Sequence, residues 1–529
     1  QELRELGTEV DDFRLDFPVR FARDLVAQLP RARRQDQLTS ASAFIEKTQQ
    51  TEIEKITADL RQLGVDWTAA PEGTSKGPEP EEYLVKVRTD REGDRVTAGD
   101  PMSLLVDITN RSALPIYRMR AITKSDNGNY DERELVFGRI DPGQTRSAKV
   151  PLGLCAVEPR GAESARPDAE RKCKIPDDSV TRQDVVKVRF SADGGEPPAD
   201  AEIRPTLTQL EQPNFAYSFQ VLDNRPGNGD GQLTRGEGGS IYLDVKNVGK
   251  GASRETQALL RNLTGDGLLL RAGRFDVSNM KPGEKRSVVF TFDVLDVLKD
   301  NLAKVEISVV DQDLRVVSSE KVSIPIASAD LVIDAKNDRV LAESDAPVRI
   351  QPLGAAPIFG TLKAGSKLSR TGQYKAFSRV SLGDGRVGYV ESDTLVSSTD
   401  AGALSFEPAL TRSPPLLEVA PGALATRAAS VRISGAASDG DQVRDAYVFV
   451  GARKVFYMSN RKASEPKKLP FAFDAELQPG VNIITVVARE NEDVATAQTL
   501  VVRRDGPNGE ALPTPKRDNF AADWEFEDD

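Results

Sequence analysis

The chain of 529 residues contains no histidine, which restricts the chemistry it could perform. Ser-His-Asp and Cys-His catalysis need an imidazole base, and the commonest zinc sites need imidazole ligands. Catalysis would require a Ser-Lys pair, paired carboxylates or a cofactor. Ser40 and Ser42 lie in a predicted amphipathic helix, and Ser75-Lys76 lies in a linker that cannot hold a desolvated lysine against a serine. We therefore expect no catalytic residue in this chain.

The two cysteines, Cys155 and Cys173, flank the polar insert AVEPRGAESARPDAERK. A disulfide between them would close this loop and stabilise the fold by about 3 kcal/mol. The insert has too little apolar content to be held by packing, so we expect the bond, with two inert thiols as the alternative. A disulfide would indicate an oxidising compartment.

Oxygen-bearing side chains are grouped in the segment NRPGNGDGQLTRGE, residues 224–237. Asn228, Asp230 and Glu237 fall at positions three, five and twelve of a calcium-loop pattern. The first ligand position is Pro226, and a missing first carboxylate usually abolishes such a site. The segment therefore predicts a Gly-rich turn, with calcium bound by Asn228, Asp230 and Glu237 as the alternative.

The last twelve residues combine six acids, no base and three aromatic residues. This polar, broken composition predicts a disordered, solubilising tail. The aromatic residues Phe520, Trp524 and Phe526 are interleaved with the acids at a spacing that suits docking on a basic, apolar groove. A docking segment is therefore the alternative.

An internal repeat provides the elements that would position these residues. Residues 96–110 (VTAGDPMSLLVDITN) are echoed by residues 233–247 (LTRGEGGSIYLDVKN), and the copies continue to Pro142-Gly143 and Pro282-Gly283. In each copy, apolar and polar residues alternate between turn residues, as in antiparallel strands with one buried and one wet face. The repeat predicts two β-sandwiches in tandem.

Length and charge bound the remaining function classes. At 529 residues we expect four or five domains. The 71 basic and 82 acidic residues give a net charge of −11, which argues against binding to nucleic acid or to an anionic membrane surface. No run of about 18 apolar residues occurs, so we expect no membrane insertion. Residue 1 is Gln rather than Met, and we expect that an upstream segment, with any export signal, has been removed.

Residues 1–68 contain RELGTEVDDFRLDFPVRFARDLV and RARRQDQLTSASAFIEKTQQTEIEKITADLRQLGVDW, with predicted helices at 16–29 and 35–63. This segment resembles the region after the catalytic domain in large myxobacterial-type carboxy-terminal processing (tail-specific) serine peptidases. The resemblance implies an exported peptidase whose PDZ domain and Ser-Lys dyad both lie upstream. The family's serine and lysine motifs are not found here, so the resemblance implies an accessory region.

Three later segments resemble known bacterial modules. The second repeat, with VKNVG at 245–249, resembles adhesion-type sandwich domains. The segment 329–395, with GDGRVGYV at 383–390, resembles SH3-like barrels, and 416–504 resembles immunoglobulin-like sandwiches. These families imply binding to proteins or peptidoglycan, or a spacer role.

The SH3-like resemblance also implies an aromatic ligand groove, and only three residues are present to build it. They are Tyr374, Phe377 and Tyr389. We expect a packing or spacer role, and a ligand-binding groove on these residues is the alternative.

We therefore expect a mainly β, multidomain chain with an N-terminal helical hairpin, tandem antiparallel sandwiches, an SH3-like barrel and an immunoglobulin-like sandwich. The expected boundaries are 1–68 for the hairpin, 69–81 for a linker, 82–208 and 209–327 for the repeated sandwiches, 328–398 for the barrel, 399–505 for the third sandwich and 506–529 for the acidic tail.

The functional hypothesis is an accessory region of an exported processing serine endopeptidase, periplasmic or secreted. It would recruit or position protein substrates or envelope proteins beside the upstream protease and PDZ domains, without catalysis and without a cofactor unless calcium binds. The alternative is a stand-alone envelope scaffold or adhesin-type array, with peptidoglycan as a further candidate ligand. A carboxylate-based enzyme is the least favoured reading, because no acidic pair lies in a cleft-forming motif.

Overall fold

A computed structural model of the protein describes residues 35–73, 77–155, 173–223, 228–399, 402–420, 422–461, 464–492 and 494–515. Within these ranges, most of the regular structure is antiparallel β-strand and a single segment is α-helical. The alternation of apolar and polar residues predicts such strands. The expected mainly β, multidomain architecture with tandem sandwiches is thus confirmed. The predicted helix at 16–29 lies outside the described residues.

The helix α1 spans Gln35–Gln62, close to the predicted 35–63. Strong helix formers such as Gln, Ala, Glu and Lys fill it, and Gly64 follows its end with a φ of 78°, a left-handed conformation that costs glycine little. Beyond the helix, the carbonyl of Asp66 accepts the N–H of Arg139 at 2.7 Å, which joins this end of the helix to the first sandwich. Among the described residues, no helix is long and apolar enough to cross a membrane.

Contacts along the backbone divide the chain into two compact units. Unit 1 takes its described residues from 1–94, 101–174 and 185–205, and unit 2 takes them from 95–100, 175–184 and 206–529. Three short segments of the predicted first sandwich therefore belong to unit 2, because their strands pair there.

The described residues between 83 and 208 form twelve strands. They are β1 (Tyr83–Thr89), β2 (Arg95–Thr97), β3 (Met102–Asn110), β4 (Ile116–Lys124), β5 (Glu134–Ile140), β6 (Thr145–Leu152), β7 (Leu154–Cys155), β8 (Cys173–Lys174), β9 (Arg182–Gln183), β10 (Val186–Asp193), β11 (Ala201–Ile203) and β12 (Thr206–Thr208). In unit 1, β1-β3-β6 form one sheet and β11-β10-β4-β5 form the other. The pair β7-β8 is joined by a disulfide between Cys155 and Cys173.

Burial along β3 alternates residue by residue, so one face packs in the core and the other meets solvent. Leu104, Val106 and Ile108 are fully buried on the inner face, and Met119 and Leu135 of the second sheet are buried as well. Because side chains on a strand alternate in direction, the apolar set falls on one side. The expected pattern of one buried and one wet face is confirmed for this copy.

The first copy of the repeat ends at a buried corner built on Asn110. Its Nδ2 donates to the carbonyls of Leu114 (2.8 Å) and Ile140 (3.0 Å), and its Oδ1 accepts the N–H of Ser112 (3.0 Å). Its own carbonyl accepts the N–H of Gly143 at 2.8 Å. A buried amide that satisfies both groups in this way fixes the turn, which explains why the run of apolar residues stops at Asn.

Unit 2 begins with a small sheet in the order β2-β12-β9 and continues with the second sandwich. The strands of that sandwich are β13 (Phe215–Asp223), β14 (Gly238–Asn247), β15 (Thr256–Asn262), β16 (Leu268–Ala272), β17 (Arg274–Asp276), β18 (Lys285–Val294), β19 (Leu302–Asp311) and β20 (Val316–Pro325). They form sheets in the orders β13-β14-β18-β16 and β17-β15-β19-β20. Phe290, Phe292 and Ile307 lie in the core between them.

The second copy repeats the buried corner with Asn247. Its Nδ2 donates to the carbonyls of Gly251 (2.8 Å) and Met280 (3.0 Å), and its Oδ1 accepts the N–H of Gly249 (3.0 Å). Its carbonyl accepts the N–H of Gly283 at 2.7 Å. The same four hydrogen bonds are made at matching positions in both copies, so the sequence repeat is a structural repeat.

The next module is a single sheet in the order β27-β21-β24-β25-β26-β22-β23-β28. Its strands are β21 (Asp334–Ala342), β22 (Ala346–Arg349), β23 (Ile358–Leu362), β24 (Lys367–Tyr374), β25 (Phe377–Ser381), β26 (Val387–Glu391), β27 (Leu395–Ser397) and β28 (Phe406–Pro408). Val348, Leu362 and Val380 are fully buried in its core. We call β21–β28 the eight-stranded module.

The last module consists of two sheets, β29-β31-β34 and β30-β36-β35-β32-β33. Its strands are β29 (Leu416–Val419), β30 (Ala425–Thr426), β31 (Ser430–Ser438), β32 (Asp445–Val450), β33 (Arg453–Ser459), β34 (Lys468–Glu476), β35 (Gly480–Arg489) and β36 (Ala495–Arg504). Between the sheets, Phe456 stacks on Phe473 with ring centroids 4.6 Å apart. We call β29–β36 the C-terminal sandwich.

Candidate module interface

A deeply buried arginine in unit 2 joins the second sandwich to the eight-stranded module. Arg386 follows a tight Gly383-Asp384-Gly385 turn between β25 and β26, and its side chain is only 10% exposed. Its Nη1 lies 2.9 Å from Oδ2 of Asp244, and its Nε donates to Oε1 of Gln220 at 2.8 Å. We call Arg386, Asp244 and Gln220 the clamp. Two of its three members belong to the sandwich and one to the following module.

Aromatic rings complete the surroundings of the arginine. The guanidinium carbon lies over three rings at 5.1 to 5.4 Å from their centroids, namely Tyr242, Phe359 and Phe406. A guanidinium is planar and weakly hydrated, so it tolerates such stacking better than an ammonium would. Arg386 is therefore held by charge, by a hydrogen bond and by rings at the same time.

The sandwich prepares the position of Asp244. The residue lies at the centre of β14, and its Oδ1 accepts the hydroxyl of Ser287 on the neighbouring strand at 2.6 Å. A buried carboxylate is costly unless it is paired and hydrogen-bonded. Ser287 holds the carboxylate of Asp244 in place on the sheet surface, and the guanidinium of Arg386 provides the positive charge that pairs with it.

A second contact is made by residues 228–232, which we call the Gly229 loop. The carbonyl of Gly229 accepts hydrogen bonds from Nη1 of Arg379 and from the hydroxyl of Tyr389, the latter at 3.3 Å. Gly231 has a φ of 86°, and a Cβ at this position would lie 3.0 Å from Cε2 of Tyr389. Glycine is needed there both for its backbone conformation and for the close approach of the ring.

Two carboxylates shape this loop from within. Asp223 accepts the N–H groups of Asp230 (2.7 Å) and Gly231 (2.9 Å). Asp230 accepts the N–H of Gln232 at 2.7 Å and also that of Leu331 in the following linker. Burial raises the pKa of Asp223 to about 6, against the effect of those N–H groups, and the neighbouring Asp230 adds to the rise. The acids act as acceptors that fold the loop.

The three predicted metal ligands are only partly brought together. Asn228 and Asp230 are adjacent, with Nδ2 of Asn228 3.2 Å from Oδ2 of Asp230. Glu237 instead accepts the N–H of Thr234 within its own turn at 2.8 Å. In the part of the chain that the structure describes, no group of three or more Cys, Asp and Glu side chains is arranged to hold a metal ion. Within this segment, Asp230 and Glu237 accept backbone N–H groups, as the predicted Gly-rich turn requires, and calcium binding stays the untested alternative.

The three predicted groove residues share one face of their sheet. Tyr374 pairs with Phe377, and Tyr389 pairs with Arg379. Since Phe377 and Arg379 are two positions apart on β25, their side chains and those of their paired residues point to the same face. Tyr374 and Phe377 are half-buried at the hairpin end. Tyr389 is completely buried, and this burial raises the pKa of its phenol. The Gly229 loop thus covers the Tyr389 end of the face with a segment of the same chain.

A third link ties the connector after the eight-stranded module to the second sandwich. Arg412 exchanges two backbone hydrogen bonds with Tyr217 on β13, at 2.7 and 2.9 Å. Its Nε donates to the carboxylate of Glu320 at 2.9 Å, and the hydroxyl of Tyr217 donates to the same carboxylate at 3.3 Å. The connector therefore runs along the sandwich rather than away from it.

An open cleft of about 480 Å³ lies beside the clamp. Lys363 on its rim pairs with Asp345 (3.2 Å) and Glu407 (3.3 Å), and Arg286 pairs with Glu284. Cations and carboxylates alternate there, so the cleft has no strong preference for a charged ligand. With its mixed, paired charges, the cleft resembles the polar rim that surrounds a buried interface.

The sequence did not identify the clamp. Asp244 occupies a position that alternation assigns to the wet face, and Arg386 follows a Gly-Asp-Gly turn of the kind usually exposed. The one signal was Tyr242, a large aromatic residue two positions before Asp244 on that same face. The predicted tail residues Phe520, Trp524 and Phe526 lie outside the described residues.

Comparison with known proteins adds little to this picture. The sequence matches no protein-family model and no curated protein. Among solved structures, red sea bream transglutaminase is similar over 46% of this chain and 31% of that chain, with 13% identity and a TM-score of 0.17. A similarity of this size carries no argument about function.

Proposed function

We propose that this chain is a non-catalytic array that positions protein substrates or partners, as the accessory region of an exported processing serine endopeptidase. The observation that carries the array is the clamp, in which Arg386 is buried against Asp244 across two modules. A joint of this kind fixes how two modules are oriented. An array with fixed orientation can hold binding surfaces at a set distance from an attached enzyme.

The buried Tyr389 supports a joint rather than a ligand groove in the eight-stranded module. The Gly229 loop already occupies the end of the face where a peptide would contact this ring. A competing peptide would have to displace a hydrogen-bonded loop of the same chain. The resemblance to an SH3-like domain is therefore best applied to its packing and spacing role.

The link to an exported peptidase rests on the resemblance of residues 1–68 and on the Cys155–Cys173 disulfide. Disulfides persist in oxidising compartments, and a periplasmic or secreted location follows from that chemistry. The coding sequence upstream of Gln1 gives the first test. A PDZ segment with serine and lysine motifs would support the proposal, and an upstream sequence without them would favour a stand-alone envelope scaffold.

Kinetics provide the functional test. The full parent enzyme is compared with a version truncated after Trp67, using one protein substrate and one short peptide that reaches only the catalytic domain. Contacts remote from the scissile bond stabilise bound substrate and transition state equally, so truncation should raise KM for the protein and leave its kcat unchanged. A tenfold rise corresponds to about 1.4 kcal/mol. The peptide should be cleaved as before.

Two results would contradict the proposal. An equal loss of kcat on both substrates would mean that the array supports the active site structurally. No loss on either substrate would leave the array without a part in substrate handling. An Arg88→Ala variant of the full parent serves as the control, because it removes an exposed charge from the array without disturbing a joint.

A further inference from the structure

One edge of the C-terminal sandwich is open. The strand β33 lies at the end of its five-stranded sheet and pairs on one side with β32, from Asp445↔Ser459 to Val450↔Arg453. No other strand of the described ranges pairs with its far side, and five of its seven residues are exposed. A strand edge presents unpaired N–H and C=O groups, so it is a ready template for another strand.

A bulge gives this edge a cationic and aromatic face. The pairing of β33 with β32 skips Val455. Lys454 and Tyr457 are three positions apart and would lie on opposite faces of a regular strand, but the bulge places both on the face of Tyr447. Nζ of Lys454 lies 5.0 Å from the ring centroid of Tyr447 and 4.7 Å from that of Tyr457. Tyr457 is itself 52% exposed, so this face is open to a partner.

The lysine on this face has no acidic partner. In the part of the chain that the structure describes, no carboxylate pairs with Lys454. Its neighbour Arg453 lies 3.9 Å from Glu476, and both of these side chains are more than half exposed. The edge is therefore locally positive although the whole chain carries a net charge of −11. Charge complementarity favours an acidic strand as its occupant.

An edge lysine often serves the opposite purpose, because a charge on an unpaired strand discourages pairing. Here the ammonium group is held against two rings, on the sheet face where the side chains of an added strand would lie. The other face of the edge is apolar. Met458 is 39% exposed there, beside Phe456, which stacks on Phe473 in the core. An apolar side chain of an added strand would cover Met458.

We propose that the free edge of β33 binds an extended segment of a protein partner in which acidic and apolar residues alternate. Side chains two apart on a strand share a face, so the acidic set lies with Lys454 and Tyr457, and the apolar set lies with Met458 and continues the core. Backbone hydrogen bonds provide affinity, and the alternation fixes the register. The proposal rests on the role of the chain as a protein-binding array, and it does not require an attached peptidase.

The test measures how a fluorescent synthetic peptide, Ser-Glu-Val-Glu-Phe-Glu-Val-Ser with blocked ends, binds to the full chain by anisotropy. Lys454→Ala should weaken binding about fivefold, the upper end of what an exposed ion pair contributes. Lys454→Arg keeps the charge and should retain binding. Lys250→Ala, at a lysine 73% exposed on another module, should leave it unchanged. Tighter binding by Lys454→Ala would show that the lysine discourages pairing and would overturn the proposal.

N-methylation of the peptide tests strand addition itself. Alternate amides of an added antiparallel strand point towards the edge. Of two peptides that are N-methylated on alternate residues, one should therefore lose binding and the other should keep it. Equal effects of the two patterns would reduce the contact to charge attraction and contradict strand addition. A peptide with lysine in place of each glutamate should not bind.

Sedimentation of the full chain tests whether a second copy takes the edge instead. Self-association that Lys454→Ala combined with Tyr457→Ser abolishes would assign the edge to a second copy and contradict a separate partner. Failure of the full chain to bind the peptide would also contradict the proposal. Failure of the proposed function has a different signature, namely unchanged kinetics of the parent enzyme after truncation at Trp67.

Discussion

Asp107 and Asp244 occupy the same position in the two copies of the repeat, three residues before the corner asparagine, yet they pair with different partners. Asp107 accepts a hydrogen bond from Ser147, and this bond, with help from Arg88, lowers the pKa of its carboxyl. Asp244 accepts the matching bond from Ser287. In both copies, the serine lies on the neighbouring strand at the same place in the repeat.

The difference lies in the cation. In the first copy it is Arg88, on the adjacent strand of the same sheet, 2.5 Å away and 51% exposed. In the second copy it is Arg386, which comes from the next module and is nearly buried. Burial along β3 alternates, whereas almost every residue of β14 is buried on both faces. The prediction that one face of the second copy is exposed to solvent is wrong, because the eight-stranded module covers this face.

The comparison teaches that one fold can use the same carboxylate in two ways. On an open sheet face, an Asp–Arg pair contributes little, because water screens both charges. When a module packs over that face, the same carboxylate needs a buried cation, and the pair then specifies which surfaces meet. The repeat determines the position of the aspartate, and the neighbouring module determines its role.

The largest expected difference between the copies concerns the two arginines. Arg386→Ala leaves Asp244 buried without a partner, and we expect a loss of about 3–5 kcal/mol in the free energy of unfolding. Arg88→Ala should cost about 0–1 kcal/mol, because its pair is exposed. Urea unfolding, with hydrogen exchange to assign each transition to its unit, measures both. Equal losses of unfolding free energy in the two variants would contradict the proposed difference between the two copies.

Reduction of the disulfide should affect the first copy alone. Cys155→Ser with Cys173→Ser removes a covalent closure over 18 positions, and we expect a loss of about 3 kcal/mol in unit 1. The second copy has no cysteine and should keep its exchange protection. A parallel loss in both units would show that the copies do not unfold independently.

The corner asparagines should behave alike. Asn110→Ala and Asn247→Ala each leave buried carbonyls and an N–H without partners, and we expect a cost of about 2 kcal/mol for each. Thermal unfolding of the two variants checks this, with Asn262→Ala, a partly exposed turn asparagine, as the control. If the two substitutions destabilised the protein to very different extents, the corners would share their geometry but not their contribution to stability.

The smallest effect is a pH dependence that only the second copy should show. The pKa of Asp223 is raised to about 6, so its protonated form is favoured in the folded state. Its contribution to stability is present below the unfolded pKa, near 4, and is lost as the pH rises through 6. Going from pH 7 to pH 5 should stabilise the Gly229 loop by about 1 kcal/mol.

Asp223→Asn should flatten this dependence. Asp90, at the end of the corresponding strand of the first copy, is the control. Although burial opposes it, hydrogen bonds from Ser103 lower its pKa, so its titration falls below this pH window. Asp90→Asn should leave the slope between pH 5 and pH 7 unchanged. Hydrogen exchange of the amides of Asp230 and Gly231 reports the effect, and a slope that persists in Asp223→Asn would assign it to another group.

The sequence predicted what depends on local pattern. Alternation predicted the strands, and the matching Asn and Pro-Gly positions identified the repeat, whereas the buried corners around the asparagines are a finding of the structure. It did not predict that residues 95–100 and 175–184 join unit 2, because strand pairing between distant segments leaves no local signal. The Gly229 loop shows the same limit. Its Asn and Asp residues suit both calcium ligands and turn acceptors, and no local pattern predicts that Tyr389 packs against the loop.

The most direct test of the clamp is a pair of double-mutant cycles. One combines Arg386→Met with Asp244→Leu, and the other combines Arg88→Met with Asp107→Leu. We expect a coupling free energy of about 1.5–3 kcal/mol for the first pair and below about 0.5 kcal/mol for the second. In the first cycle the double variant should also recover much of the stability that either single variant loses. Equal coupling in the two cycles would contradict the conclusion that the second copy has become a joint between modules.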